Sequence, residues 1–171
     1  NVPEGLSVEA DVNQLYASRK FGECRDKLIE LFNFQPYSSS ALSDAGYISI
    51  VGLDDPEFVI NMSSNRVPAT HMSFGELNNL VVARLLTNDF ENIDVEIRIL
   101  SKRLNKDDKH ALSIFMATSG LALIKNNMVE DGMKLYESSI DLLTQENLPR
   151  AKAIACHFYS QQLEGLDANK Y

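Results

Sequence analysis

The chain has 171 residues, a formal net charge of −8 and a hydrophobic fraction of 44%. That apolar content can bury a core, so wholesale disorder is excluded, and the length suits one domain or one solenoid-like segment. The negative charge repels phosphate, which argues against nucleic acid or an anionic membrane as a general partner.

Apolar residues recur at three- and four-residue spacing almost throughout, as in amphipathic helices. Gly and Pro together make only 13 residues, few for a chain of tight β turns. The first expected pair of helices spans roughly 7–19 and 21–34 and ends at "NFQP", because Pro36 cannot continue a helix. A helix over about 39–51 follows. "YISIVGL" is β-branched enough for a strand, but its helical neighbours argue against that. Asp55 before Pro56 pairs an N-cap with proline at the first helical position, and that helix runs to about Ser64.

Ser73 and Glu76 have the spacing of a capping box ahead of "LNNLVVARLL". After "TNDF" comes "ENIDVEIRILSKRL". Helices are expected next over about 109–126 and 129–143, and a last one opens at Pro149, with Gly165 as its C-terminal stop. The total is about nine helices.

Four turns align: "SRKFGECRDKL", "GLDDPEFVINM", "TNDFENIDVEI" and "NNMVEDGMKLY". Each has a polar break, an acidic residue, then a residue that starts the second helix. Those residues are Cys24, Phe58, Ile93 and Gly132, separated by 34, 35 and 39 positions. "GLALIKNNMVEDGMKLYESSIDL" adds Gly120 in a first helix, with Gly132, Tyr136 and Ser139 in the second. Glycine costs about 1 kcal/mol relative to alanine inside a helix, so a pair of them implies close helix–helix contact.

This pattern resembles the tetratricopeptide repeat, a helix–turn–helix unit of about 34 residues. In the first unit Phe21, Cys24, Leu28, Leu31 and Pro36 stand where the family has an aromatic, a small residue, two apolar residues and a closing proline. Gly46 fits the first-helix small position of the second unit, while Asn65 replaces a small residue in its second helix. In the third unit Val81, Ile93 and Leu100 stand where small residues are usual. The resemblance implies an all-α fold, an α-α superhelix of about four units (6–36, 39–70, 73–106 and 109–145) with a capping helix over 148–165. Another superhelix or an irregular helical bundle is the alternative. Because the chain begins with Asn rather than Met, it reads as a single helical-repeat domain from a longer protein or a processed product.

In the family, first helices line a concave groove that holds partner segments. The resemblance places Asn13, Tyr16 and Ala17, then Asn78, Val82 and Leu85, then Ala117, Leu121, Ile124 and Lys125 on that groove. The apolar members could equally be inter-repeat core. The groove lacks the regular basic residues that would clamp a C-terminal carboxylate, so a mixed apolar and polar segment of another protein is the expected occupant.

Chemistry is thinly represented. Cys24 and Cys156 form no CxxC pattern and His71, His110 and His157 form no HxxxH, so no zinc site is expected. Cys156 and His157 are neighbours on a helix and point about 100° apart, away from nucleophile–base geometry. "GLDDPE" and "NKDDK" sit at helix starts, where carboxylates complement the dipole. No phosphate-loop or GxSxG motif occurs. No catalytic residue, cofactor or metal is expected.

No apolar run approaches the roughly 18 residues of a membrane span, and no signal peptide is visible. A cytoplasmic location is expected from the sparse cysteines, though a leader already removed would leave no trace. "RILSKRLNKDDK" concentrates Arg98, Lys102, Arg103, Lys106 and Lys109, and reads as a solvated helix end or as a docking patch for an acidic partner. Ile154, Phe158 and Leu163 could complete the monomer or seam a homodimer through the last helix. The expected function is a non-catalytic protein-interaction module, a scaffold, adaptor or regulatory domain. The alternative is a tetratricopeptide-type secretion chaperone holding an apolar segment of an exported protein.

Overall fold

Local backbone chemistry sets the helix boundaries. The computed structural model describes residues 4–36, 39–64, 66–105 and 107–168. Among them are nine α-helices and no strand: α1 (Glu4–Ala17), α2 (Phe21–Phe34), α3 (Ser39–Val51), α4 (Pro56–Ser64), α5 (Phe74–Thr87), α6 (Ile93–Arg103), α7 (Lys109–Lys125), α8 (Val129–Gln145) and α9 (Pro149–Ala168). The all-α expectation holds, and a short 3-10 turn at Ala69–His71 is added before α5. Among the described residues no helix is long and apolar enough to cross a membrane. Asn65 and Lys106 lie outside the described residues.

The expected caps form. Asp55 Oδ1 accepts from the Phe58 amide at 3.2 Å, just before Pro56. Glu76 Oε2 accepts from the Ser73 amide at 2.9 Å, and Ser73 Oγ accepts from the Glu76 amide at 3.3 Å, a closed capping box. Asp108 Oδ1 accepts from the Ala111 amide at the start of α7. One stop differs from expectation. Gly165 lies inside α9, which runs on to Ala168. Half-buried Leu166 follows it and gives the extra turn something to pack.

Helices instead end on left-handed residues that are not glycine. Arg19, Asn127 and Asn147 have φ of 57°, 64° and 53°. At each, two amide bonds tie the turn to the preceding helix. The Arg19 and Lys20 amides donate to the Tyr16 and Leu15 carbonyls at 3.0 and 2.9 Å. Those of Asn127 and Met128 reach Ile124 and Leu123 at 3.0 and 2.9 Å, and those of Asn147 and Leu148 reach Thr144 and Leu143 at 3.2 and 2.9 Å. This is the Schellman arrangement. Lys20 and Met128 share one conformation as well, with φ/ψ of −85°/64° and −91°/61°. Cys24 and Gly132, aligned in the sequence, then occupy the same step: their amides donate to the Lys20 and Met128 carbonyls at 2.9 and 3.0 Å. The α3–α4 turn closes differently, with the Asp55 amide reaching back to Ser49.

Two compact units emerge, Asn1–Thr87 and Asn88–Tyr171. Their boundary falls inside the third expected helix pair. In the first unit α1 packs on α2, α2 on α3, α3 on both α4 and α5, and α4 on α5. Val8, Cys24, Leu28, Leu31, Ala41, Ala45 and Ile48 form one core cluster across α1, α2 and α3. The α3–α5 contact is close at Gly46, where a Cβ would lie 3.0 Å from Asn79 Nδ2, itself donating to the Ser43 carbonyl at 2.8 Å. Two arginines lace the unit. Arg25 lies 4.2 Å above the Phe58 ring and 2.8 Å from Asp55, joining α2 to the cap of α4. Arg66 lies 4.5 Å above the Phe32 ring and 3.2 Å from Glu76, joining α2 to the capping box.

In the second unit α7 and α8 form a hairpin, α9 packs on both, and α6 meets α7. Gly120 and Gly132 face each other across the hairpin. A Cβ on Gly132 would lie 2.6 Å from the Gly120 carbonyl oxygen, and one on Gly120 would lie 2.8 Å from that of Gly132. The two backbones are therefore in contact, as the paired glycines imply. Ser139 Oγ donates to the Ser113 carbonyl at 2.8 Å in the same buried seam. Tyr136 fills the space beside them, 2% exposed, its ring stacked 5.2 Å from Tyr159. Burial pushes the Tyr136 hydroxyl pKa far above its ordinary value. Val81, Ile93 and Leu100, which stand where the repeat family has small residues, are all buried.

Candidate interaction surface

The residues placed on a groove divide between the units. In the first unit Asn13 is exposed on α1, and Tyr16 is half-buried with its ring 5.8 Å from Phe21. On α5, Val82 is half-buried, Asn78 is 8% exposed and Leu85 is fully enclosed. In the second unit Leu121 is 1% exposed, Ile124 is buried, and Ala117 and Lys125 are half-buried. Lys125 Nζ donates to Asn88 Oδ1 at 3.3 Å, tying the end of α7 to the loop before α6.

Leu85 and Leu121, placed on the groove with inter-repeat core as the alternative, are buried in the folded chain. Asn78 is likewise on the buried side of α5. Asn13, Tyr16, Ala17, Val82, Ala117 and Lys125 keep accessible surface and can touch a partner without opening the fold.

The more informative surface is a stripe that periodicity missed. The α7 sequence is apolar nearly all round. Ser113, Gly120 and Ile124 are buried along the α8 side, and Thr118, Leu121 and Ala122 are buried as well. Leu112, Phe115, Met116, Ser119 and Leu123 recur at three- and four-residue spacing on the remaining face, and all five are half-buried, keeping some accessible surface in the folded chain. Ser119 Oγ is enclosed beneath them with no hydrogen-bond partner. A helix that is apolar on every side offers no contrast from which a face can be assigned, and the Gly120 register fixes only the α8 side.

No family model, curated protein or solved structure matches this chain.

Some of the reactive side chains have structural roles. Asp55 and Asp108 cap helices. Cys24 is fully enclosed, with its thiol 3.5 Å from the Val12 carbonyl, and burial, reinforced by Asp44, raises its pKa away from the reactive thiolate. Cys156 and His157 are both exposed on α9, and the His157 ring meets Phe158 and Gln161 rather than the thiol. Among the described residues no group of His, Cys, Asp or Glu could hold a metal ion.

Proposed function

We propose that this chain is a non-catalytic protein-interaction module that takes a partner segment along its first-position helices. The observation that carries this reading is the half-buried apolar stripe Leu112, Phe115, Met116 and Leu123 on α7, which keeps accessible surface. Apolar side chains at helical spacing that keep accessible surface suit an amphipathic helix or an extended segment of another protein. Asn13, Tyr16 and Val82 supply comparable half-exposed or polar positions on α1 and α5 of the first unit. The tetratricopeptide-like α-α superhelix is the architecture that best accounts for such a surface. Its support is the shared turn geometry at Arg19–Lys20 and Asn127–Met128 together with the Gly120–Gly132 contact. The apolar character of the stripe is also what the chaperone alternative requires, with an exported protein as the bound segment.

A photo-crosslinking amino acid placed singly at Phe115, at Val82 and at exposed Ser138 of α8 tests the reading in lysate of the source organism. Adducts from position 115 or from position 82, and none from 138, are expected. Adducts from 138 alone, or none from any position, would remove the surface from consideration. The chaperone alternative predicts that the adduct is an exported protein.

A further inference from the structure

A different surface, independent of the α7 stripe, carries a second inference. Residues 98–109 hold five of the 16 basic residues of the chain and only two of its 24 acidic ones. That stretch is net +3 in a chain of net −8. On α6, Ile93, Glu96 and Leu100 are buried, and Val95, Arg98 and Lys102 stand on the opposite, outward stripe at positions i, i+3 and i+7. Val95 is 54% exposed and Phe90, in the loop just before the helix, is 45% exposed. These are two of only four large apolar side chains so exposed among the described residues.

The dipole of α6 accounts for Lys102 and Arg103 in its last turn. It does not account for Arg98, which lies a turn further in. Several basic groups elsewhere find acids: Lys20 with Glu23, Arg25 with Asp55, Arg66 with Glu76, Lys134 with Asp131. Arg98 and Lys102 form no ion pair among the described residues. Exposed Asp94 lies at the N-terminal end of the helix, so charge runs along the stripe from acidic to basic, with Val95 between.

We propose that the outward face of α6 docks a protein segment in which acidic residues flank an apolar side chain, the acids meeting Arg98 and Lys102 and the apolar group lying on Val95 and Phe90. A short segment responds to charges within the roughly 8–10 Å screening length, and so to this local positive field. An extended anionic surface such as a membrane responds to the whole chain, whose net charge repels it.

The test uses the full chain, labelled with 15N and titrated with two synthetic 20-residue amphipathic peptides. Both carry the same Leu and Phe face, one flanked by Glu and the other by Lys. The acidic peptide should shift amides of residues 90–103. The double variant Arg98→Glu, Lys102→Glu should lower its affinity by about tenfold, the size expected for two exposed charge pairs each turned from attraction to repulsion. Arg98→Gln, Lys102→Gln should fall in between. These side chains are exposed, and circular dichroism of each variant checks the fold. Equal binding of both peptides, shifts confined to other helices, or unchanged affinity in the reversed variant would overturn the proposal. So would co-sedimentation with phosphatidylserine vesicles that depends on Arg98 and Lys102 while the acidic peptide leaves residues 90–103 unmoved. Concentration-dependent dimerisation lost in the reversed variant would reassign the face to a second copy of the chain.

Discussion

Replacing Gly132 by alanine sets two effects against each other. Inside a helix the change ordinarily gains about 1 kcal/mol. Here the new Cβ would lie 2.6 Å from the Gly120 carbonyl oxygen and 2.9 Å from the Ile124 amide nitrogen. Both are backbone atoms of α7, so relief requires moving the helix itself. Overpacking of this kind costs roughly 1–3 kcal/mol. Separating α7 from α8 would also stretch the Ser139–Ser113 hydrogen bond, worth about 1 kcal/mol. The sum is a net loss of about 1–3 kcal/mol. Gly165→Ala is the control, because Gly165 is also helical but a Cβ there meets nothing within 4 Å. It should gain about 0.5–1 kcal/mol. Urea unfolding followed by circular dichroism measures both, and each kcal/mol moves the melting temperature by about 2–4 °C in a chain of this length. A Gly132→Ala protein as stable as wild type, with Gly165→Ala behaving as expected, would refute the close-contact account of the paired glycines.

Arg19 sits at φ 57°, a conformation glycine adopts without penalty. Arg19→Gly should therefore stabilise by about 0.5–1 kcal/mol, whereas Asn127→Val at φ 64° should cost about 1–2 kcal/mol, both read from urea midpoints. Glu76→Ala removes the capping-box acceptor and the Arg66 partner together and should cost about 1–2 kcal/mol by the same measurement. Tyr136 makes alkaline stability informative. Its folded pKa is raised by burial, so above about pH 10 the unfolded chain releases a proton that the folded chain keeps. Stability is thus intact below that pH and falls as pH rises beyond it. Tyr136→Phe should flatten the decline between pH 9 and 11, and parallel curves for the two proteins would count against the assignment.

Much of the fold was legible because local chemistry decides it. Asp55–Pro56, Ser73 with Glu76, and Pro36 after "NFQ" each act over four residues or fewer, and each lies where the pattern placed it. Gly120 and Gly132 were legible for a different reason: each costs helix stability, and only packing explains their retention. Stops were harder to read. Glycine was expected to end α9, yet Arg and Asn in left-handed conformations end α1, α7 and α8: Asn127 and Asn147 adopt that region readily, and at Arg19 the Schellman hydrogen bonds hold a residue that intrinsic preference would not choose. Groove residues were the least legible. Leu85 and Leu121 are chemically indistinguishable from Phe115 or Leu123 in sequence, and on a helix apolar all round only the packing of its neighbours decides which side remains open.

In the Schellman turns, the last residue of the turn is also the N-cap of the next helix. Lys20, Met128 and Leu148 each belong to both, so no residue is spare. A helix advances about 100° per residue. One residue inserted at Asn127–Met128 would therefore rotate α8 by about a quarter turn against α7, carry Gly132 off Gly120 and turn Tyr136 out of its pocket. Insertions and deletions should be tolerated in the loop between α5 and α6 and rejected at Arg19, Asn127 and Asn147, so that length variation in related chains would map the joints of this protein before any of its side chains did.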